Sequence, residues 1–222
     1  MATATVQVRR TTSYFRPKYA VFTVVGLMIA YVIYHNESFL WHPHDPVWQH
    51  YEGFKWYLLP HGLAGACAIF LGPMQFSYRL RQRFTKLHRI LGRFYVAGAL
   101  IVSPLGVYLQ YFDERIGGPR SFTLAAAADA ALLMITTSVA FFFIRQGKVQ
   151  QHRQWMTRSF AVAIVFLEVR VITGLAGWEN PVATETVVWM CLAFALLVGD
   201  IALQVEEYLR TRPVVRAQAT AR

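Results

Sequence analysis

The sequence predicts an all-α fold, a polytopic integral membrane bundle of six transmembrane helices with both termini cytoplasmic. Three observations carry that expectation. Of the 222 residues, 55% are hydrophobic and only 15% charged, whereas soluble domains carry about 25% charged residues. The apolar residues fall into six runs free, or nearly free, of charge. The basic residues gather at alternate ends of those runs.

In chain order, a basic segment (residues 1–18) holding Arg9, Arg10, Arg16 and Lys18 leads into the first run, Tyr19–Tyr34. That run falls just short of the about 17–25 apolar residues that cross a bilayer core, so it spans with its flanks or by local thinning. No small-residue cleavage site follows it, only HNESFLWHPH, and it reads as a retained span. The next segment, His35 to Lys55, is rich in Trp and His. Trp41, Trp48, Tyr51, Phe54 and Trp56 suit the membrane–water boundary. Its His35, His42, His44 and His50, with Glu37, Asp45 and Glu52, are of the types that bind zinc or copper. They follow no regular ligand spacing, so an interfacial loop is the favoured reading and the metal stays unknown.

Five further runs reach spanning length: Trp56–Tyr78, Phe94–Phe112, Ser121–Ile144, Ser159–Trp178 and Thr186–Val205. Pro60, Gly62, Gly65, Gly72 and Pro73 in the second run, and Gly98, Pro104 and Gly106 in the third, favour close helix approach. A single membrane domain over residues 19–209, with core helices at about 56–178, is followed by a basic tail, residues 210–222. Cys67 and Cys191 lie in separate spans and read as packing residues.

Of the 22 Lys and Arg residues, all but Lys55, Arg115, Arg120 and Arg170 belong to the ends and loops of one side. Positive charge marks the cytoplasmic side. The location expected is the cell inner (plasma) membrane, with the bilayer and its anionic headgroups as partners. The net charge of +10 is accounted for in this way, without nucleic acid.

A histidine motif occurs twice on that side, RQRFTKLHRILGR (Arg81–Arg93) and RQGKVQQHRQWMTR (Arg145–Arg158). A shift of 64 positions lays Arg81 on Arg145, Gln82 on Gln146, His88 on His152 and Arg89 on Arg153. Two neighbouring hairpins thus present an imidazole from one face. His88 and His152 on separate helices suit bis-imidazole ligation of a b-type haem, which fills both axial positions and favours electron transfer. Gly92, one turn beyond His88, leaves space for a macrocycle or a neighbouring helix, and Arg89, Arg93, Arg153 and Arg158 suit propionates. The plainer reading, favoured over haem, is that the His-Arg pairs bind phosphate headgroups and fix helix depth. His61, at the outer end of its helix, has Ala125 at the matching position, so the symmetry is incomplete.

Charged residues inside a bilayer usually face a bundle interior, and four occur here: Asp129, Glu168, Arg170 and Asp200. Asp129 and Arg170 each lie about 12 Å from the outer end of their runs at 1.5 Å per residue. Matched depth and opposite charge predict an Asp129–Arg170 bridge. Glu168 cannot join Arg170, because positions two apart on a helix point away from one another.

The stretches HGLAGACAIFLGPMQF (His61–Phe76), LHRILGRFYV (Leu87–Val96) and HRQWMTRSFAVAIVFLEVR (His152–Arg170) resemble the domain-of-unknown-function 2306 family of bacterial membrane proteins. That resemblance implies a multispan membrane protein and no settled activity. A fainter topological likeness is to dihaem transmembrane cytochromes b, from which this chain departs in lacking an outer partner for His61.

The leading specific function is therefore haem-based electron transfer, with a redox partner or a second copy of the chain as associate. The alternatives are a non-enzymatic protein binding anionic lipid or partner subunits, and a small transporter using Asp129, Glu168 and Arg170 as a polar pathway. No catalytic residues are assigned.

Overall fold

The computed structural model describes residues 17–42, 44–178 and 181–219, with side chains from Tyr19 to Tyr208 except His50 and Pro181. Arg9, Arg10 and Arg16 of the basic leader, and the side chains of the basic tail, lie outside the described residues, as does the His50 side chain. Every regular element described is helical: α1 (Pro17–His35), a 3-10 turn (Ser38–Trp41), α2 (Val47–Tyr51), α3 (Lys55–Gln75), α4 (Tyr78–Arg83), α5 (Thr85–Arg115), α6 (Arg120–Arg145), α7 (Val149–Ala163), α8 (Val165–Ala176) and α9 (Pro181–Ala219).

Five helical segments are long and apolar enough to cross a membrane: α3, α5, α6, α7 with α8, and the greater part of α9. The sixth expected span is helical, but its apolar stretch Tyr19–His35 is shorter than these five. Basic residues before it and the polar Asn36-Glu37-Ser38 after it leave it nothing apolar to extend into.

Four helices form the core. α3 packs along α5, α5 against α6, α6 against α7, and α7 touches α3 again. α5 and α7 therefore stand diagonally across a four-helix bundle. Lipid tails are as apolar as leucine, so such a bundle is held by close packing and hydrogen bonds more than by the hydrophobic effect. Small residues supply the packing: Ala64, Ala68, Ala99, Ala125, Ala126 and Ala130 are all buried. Gly98 shows why some positions have no side chain at all. A Cβ there would lie 2.7 Å from the Ala64 carbonyl oxygen and 3.0 Å from Cys67 Cβ. Both cysteines are free.

Connections are fixed by local chemistry. The Ser77 side chain accepts from the Leu80 N–H at 3.3 Å and starts α4. Gly147 and Gly177 follow α6 and α8 with φ of 72° and 65°, a left-handed conformation that glycine adopts without steric cost. Beyond each, the next N–H turns back onto the helix, from Lys148 to Phe143 O and from Trp178 to Thr173 O, the closing bond of a Schellman cap.

The fifth run departs from the expected single helix. It is interrupted at Ile164, where neither proline nor glycine stands. The halves have different neighbours: α7 belongs to the four-helix bundle and meets α9, whereas α8 lies against α1 and α9. A Cβ on Gly174 would collide with the Tyr31 hydroxyl, so that glycine lets α1 approach α8.

Candidate functional site

Three hydroxyl side chains meet at the centre of the four-helix bundle. Tyr95 of α5 shares a hydrogen bond of 2.8 Å with Ser159 of α7, and Ser159 shares another of 2.7 Å with Thr137 of α6. All three residues are 0% exposed. Phe160 packs beside them, in the space that a side chain on Gly72 would need. Bonds of this kind satisfy hydroxyls that would otherwise be stranded in an apolar interior.

Tyr95 and Ser159 are 64 residues apart, the offset of the histidine motif. Seven residues before each lies a motif histidine, His88 on α5 and His152 on α7. A heptad returns to almost the same helix face, drifting by about 20°, and moves about 10.5 Å along the axis. Because Tyr95 and Ser159 meet, His88 and His152 share facing surfaces of diagonal helices about two turns closer to the basic end. In agreement with this, His152 lies within electrostatic reach of His88, and Arg81 within reach of both.

The two rings are held differently. The His152 Nδ1–H donates to the Ala140 carbonyl of α6 at 2.9 Å. That bond fixes the tautomer and leaves Nε2 with its lone pair, as metal-binding histidines are commonly arranged. Nδ1 of His88 is buried with no hydrogen-bond partner, as is Nε2 of Gln75. The slot beside Gly92 is not open: a Cβ there would lie 3.1 Å from Gln75 Oε1. Among the residues to which a macrocycle edge would turn, Arg89 is exposed. Arg153 is instead paired with Glu206 at 2.8 Å and Arg158 with Asp200 at 2.7 Å, so α9 takes both guanidiniums expected to be free for propionates or headgroups.

The expected Asp129–Arg170 bridge is not formed. Arg170 pairs with Glu37, in the turn after α1. Asp129 is buried and its Oδ1 has no partner. Equal distance along two runs does not fix azimuth, and Glu37 reaches Arg170 from a loop. Glu168 faces neither of them and lies in a cleft between α8 and α9.

His61 stands at the opposite end of the bundle from the histidine pair. Its Nδ1–H donates to the Val102 carbonyl at 3.2 Å, and its Cε1 lies 3.1 Å from where a Cβ on Gly106 would be. It locks α3 to α5 and, with Tyr51, lies within electrostatic reach of the Glu37–Arg170 pair. Burial pushes the Tyr51 phenol above its usual range against the opposing pull of the Arg170 guanidinium. Among the described residues, no three His, Cys, Asp or Glu side chains gather as a metal-ligand set, and this includes the described part of the histidine-rich outer segment.

The Tyr95–Ser159 contact escaped sequence reasoning because its partners are unlike. Tyrosine and serine differ in type, and a comparison of the two motifs by identity passes over them. The signal that could have found it is the heptad step from each motif histidine.

No curated protein and no solved structure matches the chain significantly. A family model does match, over residues 58–203, from within α3 to within α9. That stretch contains nearly all of the four-helix bundle and both motif histidines, and the chain belongs to the DUF2306 family of predicted membrane proteins.

Proposed function

We propose that this membrane protein binds one b-type haem at the basic end of its four-helix bundle, with His88 and His152 as axial ligands, and that it carries electrons. One observation carries the reading: the hydrogen bond between Tyr95 and Ser159 sets the register in which the two imidazoles face each other across the bundle. The donor set fits the group. His152 offers Nε2 because Nδ1–H is committed to Ala140, and no hydrogen bond at Nδ1 fixes the His88 tautomer, so that ring can present either nitrogen. Gln75 must leave the face of Gly92 for a macrocycle to lie there. Arg81 and Arg89, both within electrostatic reach of His88, would meet the propionates.

Haem held by these two imidazoles would supply one-electron chemistry. The protein's own part is to orient the imidazoles and keep the site dry, through Tyr95, Thr137 and the small residues between the helices. The basic end is assigned to the cytoplasm, with both termini there, at the inner membrane. His61 is not assigned to the site.

Purified protein reconstituted with hemin in detergent tests the reading. It should give a Soret band and a sharp reduced α-band, both lost in His88→Ala and in His152→Ala and retained in His61→Ala. Folded protein that stays colourless rejects it.

A second reading is favoured by the exposed arginines Arg79, Arg83, Arg89 and Arg93, which form no ion pair among the described residues. These suit anionic headgroups, each basic group contributing about 1 kcal/mol at such a surface. Their joint replacement by Gln should weaken retention of anionic lipid and leave the optical spectrum intact. Unchanged retention rejects headgroup binding.

A further inference from the structure

A second candidate site lies away from the histidine pair, between α8 and α9. The two helices flank an open cleft of about 350 Å³, lined by Glu168, Ile172, Trp178, Met190, Cys191 and Phe194 among others. Ligand pockets begin at about 300 Å³, so the space suits a small organic molecule. Glu168 is its one ionisable acid, set among aliphatic, sulfur-containing and aromatic walls.

Nothing described pairs with that carboxyl. Arg170, two positions further along α8, points elsewhere and is bound to Glu37. No hydrogen bond or ion pair joins Glu168 to another described side chain. A carboxyl at this depth carries a cost that a helix bundle normally offsets with a partner. An acyl chain would cover the apolar walls and leave the carboxyl unmatched. A cation with an apolar periphery matches both parts, because the Trp178 and Phe194 rings also attract positive charge through their faces.

We propose that the α8–α9 cleft binds lipophilic organic cations, with Glu168 as the counter-charge and Trp178 and Phe194 as aromatic walls. The occupant enters from the bilayer, pairs its charge with the Glu168 carboxylate and lays its apolar groups against α9. This site is independent of the haem reading, since none of its residues belongs to the histidine cluster.

The full chain in nanodiscs of uncharged lipid, titrated with tetraphenylphosphonium by equilibrium dialysis, tests the proposal. Saturable binding at one cation per chain is expected. Tetraphenylborate, of the same size and opposite charge, should not bind. Glu168→Gln should weaken binding by about tenfold or more, the loss of one desolvated charge partner, whereas Asp129→Asn and His88→Ala should leave it unchanged. Val198→Trp retains the carboxyl but fills the cleft from an exposed position, so it should abolish binding and keeps the question decidable if Glu168→Gln fails to fold. Binding that is not saturable, that is shared equally by tetraphenylborate, or that survives both cleft variants overturns the proposal.

Discussion

Replacing Ser159 with alanine tests the central hydroxyl cluster on which the register of the bundle depends. Ser159 bonds both Tyr95 and Thr137, and none of the three is exposed. Loss of its Oγ strands two hydroxyls. Thr137 can rotate toward a carbonyl one turn back in its own helix, but the Tyr95 phenol has no such recourse. An unsatisfied buried group costs about 1–3 kcal/mol, so Ser159→Ala should destabilise by about 2 kcal/mol. Tyr95→Phe keeps the ring and leaves Ser159 bonded to Thr137, and interhelical bonds in membranes average about 0.6 kcal/mol, so its cost should be below about 1 kcal/mol. Once the phenol is gone, Ser159→Ala strands only Thr137, and the double variant should cost about 1 kcal/mol less than the sum of the singles. Reversible SDS titration in mixed micelles reads all three. Additive singles, or a Tyr95→Phe cost above that of Ser159→Ala, would refute the reasoning.

Other expectations follow from the same geometry. Glu37→Gln should lower thermal stability in detergent by up to about 1 kcal/mol, as for other solvent-accessible ion pairs, while Asp129→Asn should be neutral or stabilising because the aspartate has no partner to lose; destabilisation by Asp129→Asn would contradict that expectation. Gly98→Ala drives a methyl onto the Ala64 carbonyl and should cost about 1–3 kcal/mol, seen as a lowered melting temperature. The Tyr51 phenol is raised by burial, so the folded state holds its proton more tightly than the unfolded state does. Stability should therefore be lost as pH rises past the unfolded phenol value of about 10, and Tyr51→Phe should remove that component of an alkaline melt series.

Much of the architecture was legible in the chain. Uncharged runs and the one-sided Lys and Arg residues gave the spans, and the repeated histidine motif marked the two helices that face each other. What stayed hidden depended on azimuth and on loops. Arg170 finds Glu37 in a turn with no periodicity to read, and Arg153 finds Glu206 on a helix distant in sequence. The break at Ile164 carries no proline or glycine, so nothing local in SFAVAIVFLEV announces it. Gly92 reads equally as room for a ligand or for Gln75, and only packing distinguishes the two.

Convergence of His88 and His152 can be measured without any cofactor. In a chain with Cys67 and Cys191 replaced by alanine, cysteines at 88 and 152 should be joined by a bismaleimide spanning about 8–10 Å, shorter than the diagonal between the two helix axes because both side chains point inward, with the linked peptides identified by mass spectrometry. Cysteines at 89 and 153, rotated about 100° away on each helix, should not be joined. Linkage at 89 and 153 but not at 88 and 152 would contradict the account.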